Sequence, residues 1–290
     1  SVLTKPAPQT PIIAFEAINI LHEAGVPKEV LQLILGDASV GAALVEHEDV
    51  GGVAFTGSTQ TSKIIQRSLA SKDGAIVPLI AETGGQNVMF VDSTALLEQV
   101  TDDVVQSAFK SAGQRCSALR VLYLQDDIAD EALKMIKGAM GALSIGDPRY
   151  LESDVGPIID KDAVKSLDSH IFDLKSKGKS HFQSTATDAH LNGNYVMPTL
   201  FEISNISELE KEHFGPILHV VRYKSEDLEE TIESAFSTGF GLTLGIHTRM
   251  ERRWAEIFKR APVGNTYVNR NTTGAVVGSQ PFGGQGLSGT

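Results

Sequence analysis

The 290 residues include 36 acidic side chains against 25 lysines and arginines, a formal net charge of −11, which argues against general nucleic-acid binding because a phosphate backbone selects a basic face. With 41% apolar and 21% charged residues, the composition is that of a globular chain long enough for two domains. No apolar run reaches membrane-spanning length and no secretory core opens the chain, and the single cysteine, which excludes an internal disulfide, fits a reducing, cytoplasmic compartment.

In chain order, the first three residues resemble the end of a strand. Thr10-Pro11 predicts an N-cap followed by proline at the first helical position. Ala14, Ala17, Ile18, Leu21 and Ala24 continue that helix as a small-apolar face, and Gly25 stops it. A strand over 30–35, a helix over 38–46, a strand over 53–55 turning at Gly57-Ser58, a helix over 59–69 and a strand over 76–81 follow. This alternation predicts βαβ units and a mostly parallel sheet. A second α/β region has a helix over 96–111, a strand over 120–125 and helices over 128–143 and 161–177. Strands are expected over 181–183, 197–201 and 217–223, then helices over 228–237 and 249–260 with Leu244-Gly245-Ile246 between them. The tail from Asn269 to Thr290 is rich in glycine and polar residues and reads as loop. No linker, repeat or low-complexity stretch divides the chain, so the boundary is placed at the Gly84-Gly85 pair, giving domains 1–83 and 84–267 and a tail 268–290. The abrupt ends suggest a piece of a longer polypeptide.

Three segments carry chemistry. A strand, Gly57-Ser58-Thr59 and then a helix form a phosphate-binding geometry, since first-turn N–H groups and the helix dipole favour an anion; a plain serine N-cap is the alternative. Glu82 follows a buried strand and precedes Thr83-Gly84-Gly85, where a carboxylate with an upward-shifted pKa acts as a general base or, alternatively, stands in solvent as a strand-end charge. Cys116, in Gly113-Gln114-Arg115-Cys116-Ser117, is either a packed small hydrophobe or a nucleophile presented at an element end, and Arg115 either favours its thiolate or points to solvent.

Ala81-Glu82-Thr83-Gly84-Gly85 followed by Gly113-Gln114-Arg115-Cys116 resembles the glutamate and cysteine signatures of the aldehyde dehydrogenase superfamily in order and separation. Phe55-Thr56-Gly57-Ser58, Lys5 with Thr10-Pro11, Glu212-His213-Phe214-Gly215-Pro216 and Pro281-Phe282-Gly283-Gly284 fit the same family, so the match spans essentially the whole chain. Cys116-Ser117-Ala118-Leu119-Arg120 and the tail 269–284 resemble more narrowly the glutamate-semialdehyde dehydrogenases, in particular the C-terminal part of bifunctional bacterial proline-utilisation flavoproteins.

The resemblance implies an α/β fold with a partial Rossmann-type cofactor domain and an α/β catalytic domain. It implies NAD-dependent oxidation of L-glutamate γ-semialdehyde to L-glutamate, with Cys116 as nucleophile and Glu82 activating water. Lys5 would contact the adenosine ribose, Ser58 the pyrophosphate, with Thr56 and Gly57 also in the cofactor site, Glu212 the nicotinamide ribose, and Phe214 would lie beside the nicotinamide. Gly274 and Ala275 would hold the substrate α-carboxylate through backbone N–H groups, aided by the Ser117 hydroxyl, with Phe282 on the aliphatic part. No metal is implied, and FAD belongs only to the proline dehydrogenase part of such a parent. The parent would be a homo-oligomer, with any membrane association supplied by other domains. Pro8 stands where relatives carry a ribose-binding glutamate and Ser62 where many carry a glycine, and the family's catalytic asparagine lies upstream of Lys5. A weak or inactive piece is therefore expected, and a catalytically silent scaffold is the second reading. A cofactor-free cysteine hydrolase would need a histidine base, and His213 is the only histidine within a motif.

Overall fold

The computed structural model describes residues 1–185 and 192–290. The chain forms two compact units, one of Ser1–Phe55 and Gln60–Ala81, the other of Thr56–Thr59 and Glu82–Thr290. The tail expected as a separate segment lies within the second unit.

In the first unit the opening residues do find a partner: β1 (Val2–Thr4) pairs in parallel with β2 (Leu31–Leu33). Helix α1 (Pro11–Glu23) starts with proline at its first turn, but the Thr10 hydroxyl donates to Ala7 O at 3.4 Å and caps no helical N–H. Helix α2 (Ala38–Glu46) is capped by Asp37, whose carboxylate accepts from Ser39 N at 2.9 Å. Strand β3 (Val53–Thr56) leads to α3 (Thr59–Ala70), and β4 (Leu79–Glu82) pairs with β3. The expected single parallel sheet is here two two-stranded sheets. Strands of three or four residues, in which only Ala81 is fully buried, present too little apolar face to stack further.

The second unit holds the core. Its seven-stranded sheet is built from β5 (Asn87–Val91), β6 (Leu119–Gln125), β7 (His181–Gln183), β8 (Thr199–Glu202), β9 (Ile217–Tyr223), β11 (Thr243–His247) and β12 (Asn265–Val268), in the order β12-β11-β5-β6-β9-β8-β7. All neighbours are parallel except the edge strand β7. Strands β5, β6 and β11 are buried along their whole length, as parallel strands covered on both faces must be. Phe90 stacks on Tyr123 at 4.8 Å in the middle of this layer. The covering helices are α4 (Leu97–Phe109), α5 (Asp126–Gly141), α6 (Lys161–Ser176), α7 (Leu228–Ala235) and α8 (Glu251–Arg260). A short antiparallel pair, β10 (Phe240–Gly241) with β13 (Gln285–Gly286), ties down the tail.

Strands β5, β6 and β9 are immediate neighbours. The loops entering them carry Thr83-Gly84-Gly85, Gln114-Arg115-Cys116 and Glu212-His213-Phe214, so three segments far apart in sequence arrive at one edge of the sheet. That edge is formed by the N-terminal ends of the strands, the opposite of the usual site in open α/β sheets.

Candidate active site

A cavity of about 1080 Å³ opens at this edge, within the second unit. Cys116, Glu82, Glu212, Phe214 and Ser117 line it. So do Thr56, Gly57 and Ser58 on one side and Gly274, Ala275 and Phe282 on another. Lys5 belongs to the first unit, where its ammonium donates to Pro6 O at 2.8 Å and Gly36 O at 3.1 Å.

The nucleophile loop has an unusual backbone. After α4 the chain takes three consecutive left-handed residues, Ser111 (φ 57°), Ala112 (φ 53°) and Gly113 (φ 64°). Two of them carry side chains, so the turn stores strain that the surroundings must hold. Glycine is required at the third, where a Cβ would overlap Gly215 O and come within 2.8 Å of Ala108 O. Gln114 fastens the next residue: its Nε2 donates to Pro157 O at 3.0 Å and its Oε1 accepts from Ile159 N at 2.9 Å.

The carbonyls around Cys116 are turned inward and satisfied. Asn87 Nδ2 donates to Cys116 O at 2.6 Å and Ala118 O at 2.8 Å, while Asn87 Oδ1 accepts from Thr243 N at 3.0 Å. Thr272 Oγ1 donates to Ser117 O at 3.0 Å. With the carbonyls so committed, the N–H groups of Ser117 and Cys116 turn to the sulfur and favour its thiolate. Burial opposes them and dominates, and the Glu212 and Glu82 carboxylates add to it, so the thiol pKa lies above its ordinary value. Arg115 donates from Nε to Ser111 Oγ at 3.0 Å, bracing the left-handed turn.

Glu82 ends β4. Its Oε1 accepts from Gly284 N at 3.4 Å, its Oε2 is buried without a partner, and burial raises its pKa. The carboxyl is therefore inside the cavity wall rather than a solvated strand-end charge. The backbone carbonyl of Glu82 accepts from Gly57 N at 3.1 Å, which couples the Ser58 turn to the Glu82 strand.

Glu212 accepts from Gly85 N at 3.1 Å through Oε2, and from Arg120 Nε and Nη2 at 3.2 and 3.0 Å through Oε1. Burial lifts its carboxyl and Arg120 opposes that. The guanidinium, itself only 2% exposed, also donates to Gly113 O at 2.7 Å, Arg115 O at 3.1 Å and Gly215 O at 3.2 Å, and sits 5.1 Å from the centre of the Phe214 ring. One buried cation thus joins the loop of Cys116 to the loop of Glu212 and Phe214. Five donors in a fixed fork suit this task as no lysine would.

Sequence reasoning missed Arg120 and Asn87. Arg120 did leave a signal: the one charged residue in the run LRVLYLQ needs a carboxylate if the strand is buried. Asn87 left none, because β5 itself was not recognised. The hydrolase alternative finds no base here. His213 stacks on His170 at 3.4 Å, burial holds its pKa down to about 3, and among the described residues no histidine lines the cavity. Among the described residues no group of His, Cys, Asp and Glu is arranged to hold a metal, and no helix is long and apolar enough to cross a membrane.

The aldehyde dehydrogenase family model matches residues 1–290. The bifunctional protein PutA of Escherichia coli (strain K12) is 54% identical over 299 residues, covering 100% of this chain and 23% of PutA. The 1-pyrroline-5-carboxylate dehydrogenase of Geobacillus kaustophilus is 36% identical over 296 residues, covering 100% of this chain and 57% of that protein. The crystal structure of 1-pyrroline-5-carboxylate dehydrogenase from Thermus with bound NAD superposes with a TM-score of 0.90 at 32% identity, covering 100% of this chain and 56% of that one. The chain thus spans about a quarter of the first relative and little more than half of the others. Matched along its whole length, the chain belongs to the aldehyde dehydrogenase family.

Proposed function

We propose that this chain carries the dehydrogenase chemistry that oxidises L-glutamate γ-semialdehyde to L-glutamate with NAD. The observation that carries the reading is the meeting, in one cavity, of the Cys116 thiol with its inward-facing N–H donors and the buried Glu82 carboxyl. The names of the relatives supply the substrate class.

The sulfur of Cys116 attacks the aldehyde carbon and forms a thiohemiacetal. The Cys116 and Ser117 N–H groups, which favour the thiolate, would also serve the developing oxyanion. Loss of hydride converts this adduct to a thioester on Cys116. Glu82, as carboxylate, then takes a proton from water, and the resulting hydroxide displaces the thiolate and releases the acid. The buried, unpartnered Oε2 of Glu82 is the atom suited to that proton.

The residues present fit a dinucleotide. NAD, when bound, accepts the hydride. Ser58, on the turn between β3 and α3 at the cavity wall, would meet its pyrophosphate. Glu212 would meet the nicotinamide ribose, and the 44%-exposed Phe214 offers an apolar wall to the nicotinamide.

For the substrate's amino-acid end, Gly274, at a positive φ of 92° that favours glycine, and Ala275 lie together on the cavity wall, where their backbone N–H groups would hold the α-carboxylate. Ser117 and Phe282 complete this end. Neutral N–H donors let a chain of net charge −11 bind an anionic substrate.

The test is NADH formation from glutamate γ-semialdehyde, on this chain and on the longer enzyme, beside Cys116→Ser and a simple aliphatic aldehyde. NADH lost in Cys116→Ser and faster with the semialdehyde is expected. NADH that survives the substitution removes Cys116 as nucleophile, and preference for the simple aldehyde removes the Gly274–Ala275 anchor.

A further inference from the structure

A buried acid–base pair lies behind the Gly274 loop and takes no part in the chemistry of Cys116 and Glu82. Asp103 stands on α4 and His247 ends β11, and both are buried. His247 Nε2 and Asp103 Oδ2 face each other at 3.4 Å, yet neither atom has a hydrogen-bond partner. The remaining capacity of each residue is directed at the tail. The Asn271 N–H serves the Asp103 carboxyl, and the Arg270 backbone favours a protonated His247 nitrogen, as an accepting carbonyl does. Because Nε2 is without a partner, that nitrogen is Nδ1.

Proton counting then constrains the pair. An imidazole protonated on Nδ1 presents a lone pair at Nε2. An ionised carboxylate at 3.4 Å would set acceptor against acceptor in a buried site, which costs the full desolvation of both. One shared proton removes the conflict. Burial raises the Asp103 pKa and holds that of His247 down to about 4, so of the two places for that proton it favours the acid over the ring. The charged groups that bear on them are Asp102, which acts with burial, and Arg270, which opposes it.

One turn further along α4, Ser107 Oγ accepts from Thr272 N at 3.0 Å, and Thr272 Oγ1 donates to Ser117 O beside the nucleophile. Thr272 and Thr273 are buried, whereas Val276 and Val277 are exposed. The stem 270–273 is therefore held from α4 and β11, and the loop projects from it.

We propose that Asp103 and His247 are positioning residues that share one proton and, through Asn271 and Arg270, set the pose of the Gly274–Ala275 loop against the substrate's α-carboxylate. This rests on the reading of that loop as the carboxylate anchor.

The test uses the 290-residue chain, with titration calorimetry against L-glutamate and against NAD, and ¹⁵N NMR of the histidine rings. Asp103→Asn keeps an N–H for His247 Nε2 and an oxygen for Asn271, so L-glutamate affinity stays near wild type. Asp103→Leu keeps the volume and neither bond, so L-glutamate affinity falls about tenfold, as loss of one to two hydrogen bonds implies, with NAD affinity unchanged. The His247 ring shows the Nδ1–H tautomer with Nε2 hydrogen-bonded, and that Nε2 signature disappears in Asp103→Leu. Equal loss in the Asn and Leu variants, or parallel loss of NAD affinity, overturns the positioning role. A His247 Nε2 signal unaffected by Asp103→Leu overturns the shared proton. A wild-type chain that binds L-glutamate no better than butyrate removes the anchor reading and the role built on it, while the NMR result still decides the proton.

Discussion

Arg120 Nη2 donates to Glu212 Oε1 at 3.0 Å, and the same guanidinium holds the carbonyls of Gly113, Arg115 and Gly215. The loop that presents the nucleophile and the loop proposed to meet the cofactor are therefore one hydrogen-bonded body. Replacing Arg120 by leucine leaves Glu212 Oε1 and Gly113 O without their donor in a buried site, while Arg115 O and Gly215 O keep the N–H groups of Ala118 and Ile217. The expected cost is about 3–5 kcal/mol, the usual penalty for breaking a buried pair from one side. Arg120→Lys should recover only part of it, because three donors on one nitrogen cannot span the fork. Urea unfolding measures both, and a leucine variant as stable as wild type would remove Arg120 from this role.

The Glu212 carboxylate also acts on the sulfur. Burial is the main reason the Cys116 pKa is high, and Glu212 is the next. Glu212→Gln should therefore shift the pH midpoint of Cys116 alkylation by iodoacetamide downward. An unchanged or higher midpoint would show that Glu212 does not reach the thiol.

Glu82 gives a pH dependence of definite sign. Its pKa is raised above the ordinary 4.5, chiefly by burial, so the folded chain holds the proton more tightly than the unfolded one. Its contribution to stability is whole below about pH 4.5 and is lost as pH rises through the folded value. Glu82→Gln, which cannot ionise, should stabilise the fold at pH 8 relative to wild type and not at pH 4. Thermal unfolding at the two pH values checks this, and a Glu82→Gln chain less stable at pH 8 would contradict it.

The buried histidines act in the opposite direction. His170 Nε2 and His219 Nε2 lie 2.8 Å apart, His213 stacks on His170, and His219 Nδ1 contacts Arg120 O at 3.1 Å. Burial pushes His170 down to about 4 and His213 and His219 to about 3, from an ordinary 6.5. The unfolded chain thus takes up protons that the folded chain refuses, so stability present above pH 6.5 is lost as pH falls toward 3–4. His170→Phe should make the urea midpoint less sensitive to pH across this window. Equal sensitivity in variant and wild type would exclude the cluster as the cause.

Much of the second unit could be read from local pattern. Strand β9 and the 181–183 strand fall where periodicity placed them, because continuous apolar or alternating runs bounded by turn residues have few other interpretations. Strand β5 did not, although it lies inside the sheet between β11 and β6. An asparagine and a short apolar run directly after Gly-Gly-Gln look like loop until neighbours on both sides are known. That omission hid Asn87. Cys116, Glu82 and Glu212 were legible through motif resemblance, whereas Arg120 draws its meaning from the adjacency of β6 and β9, a relation between segments some ninety residues apart. The Asp103–His247 contact likewise joins α4 to β11 across the sheet, and no local signal marks it.

The central claim is that Cys116 carries the acyl group and Glu82 drives its hydrolysis. Mixing a Glu82→Gln variant of the longer enzyme with NAD and glutamate γ-semialdehyde, followed by intact-mass spectrometry and peptide mapping, tests it directly. The expected result is one glutamyl adduct on Cys116, accompanied by one equivalent of NADH and no further turnover. Sustained turnover in this variant, or an adduct on any residue other than Cys116, would contradict it.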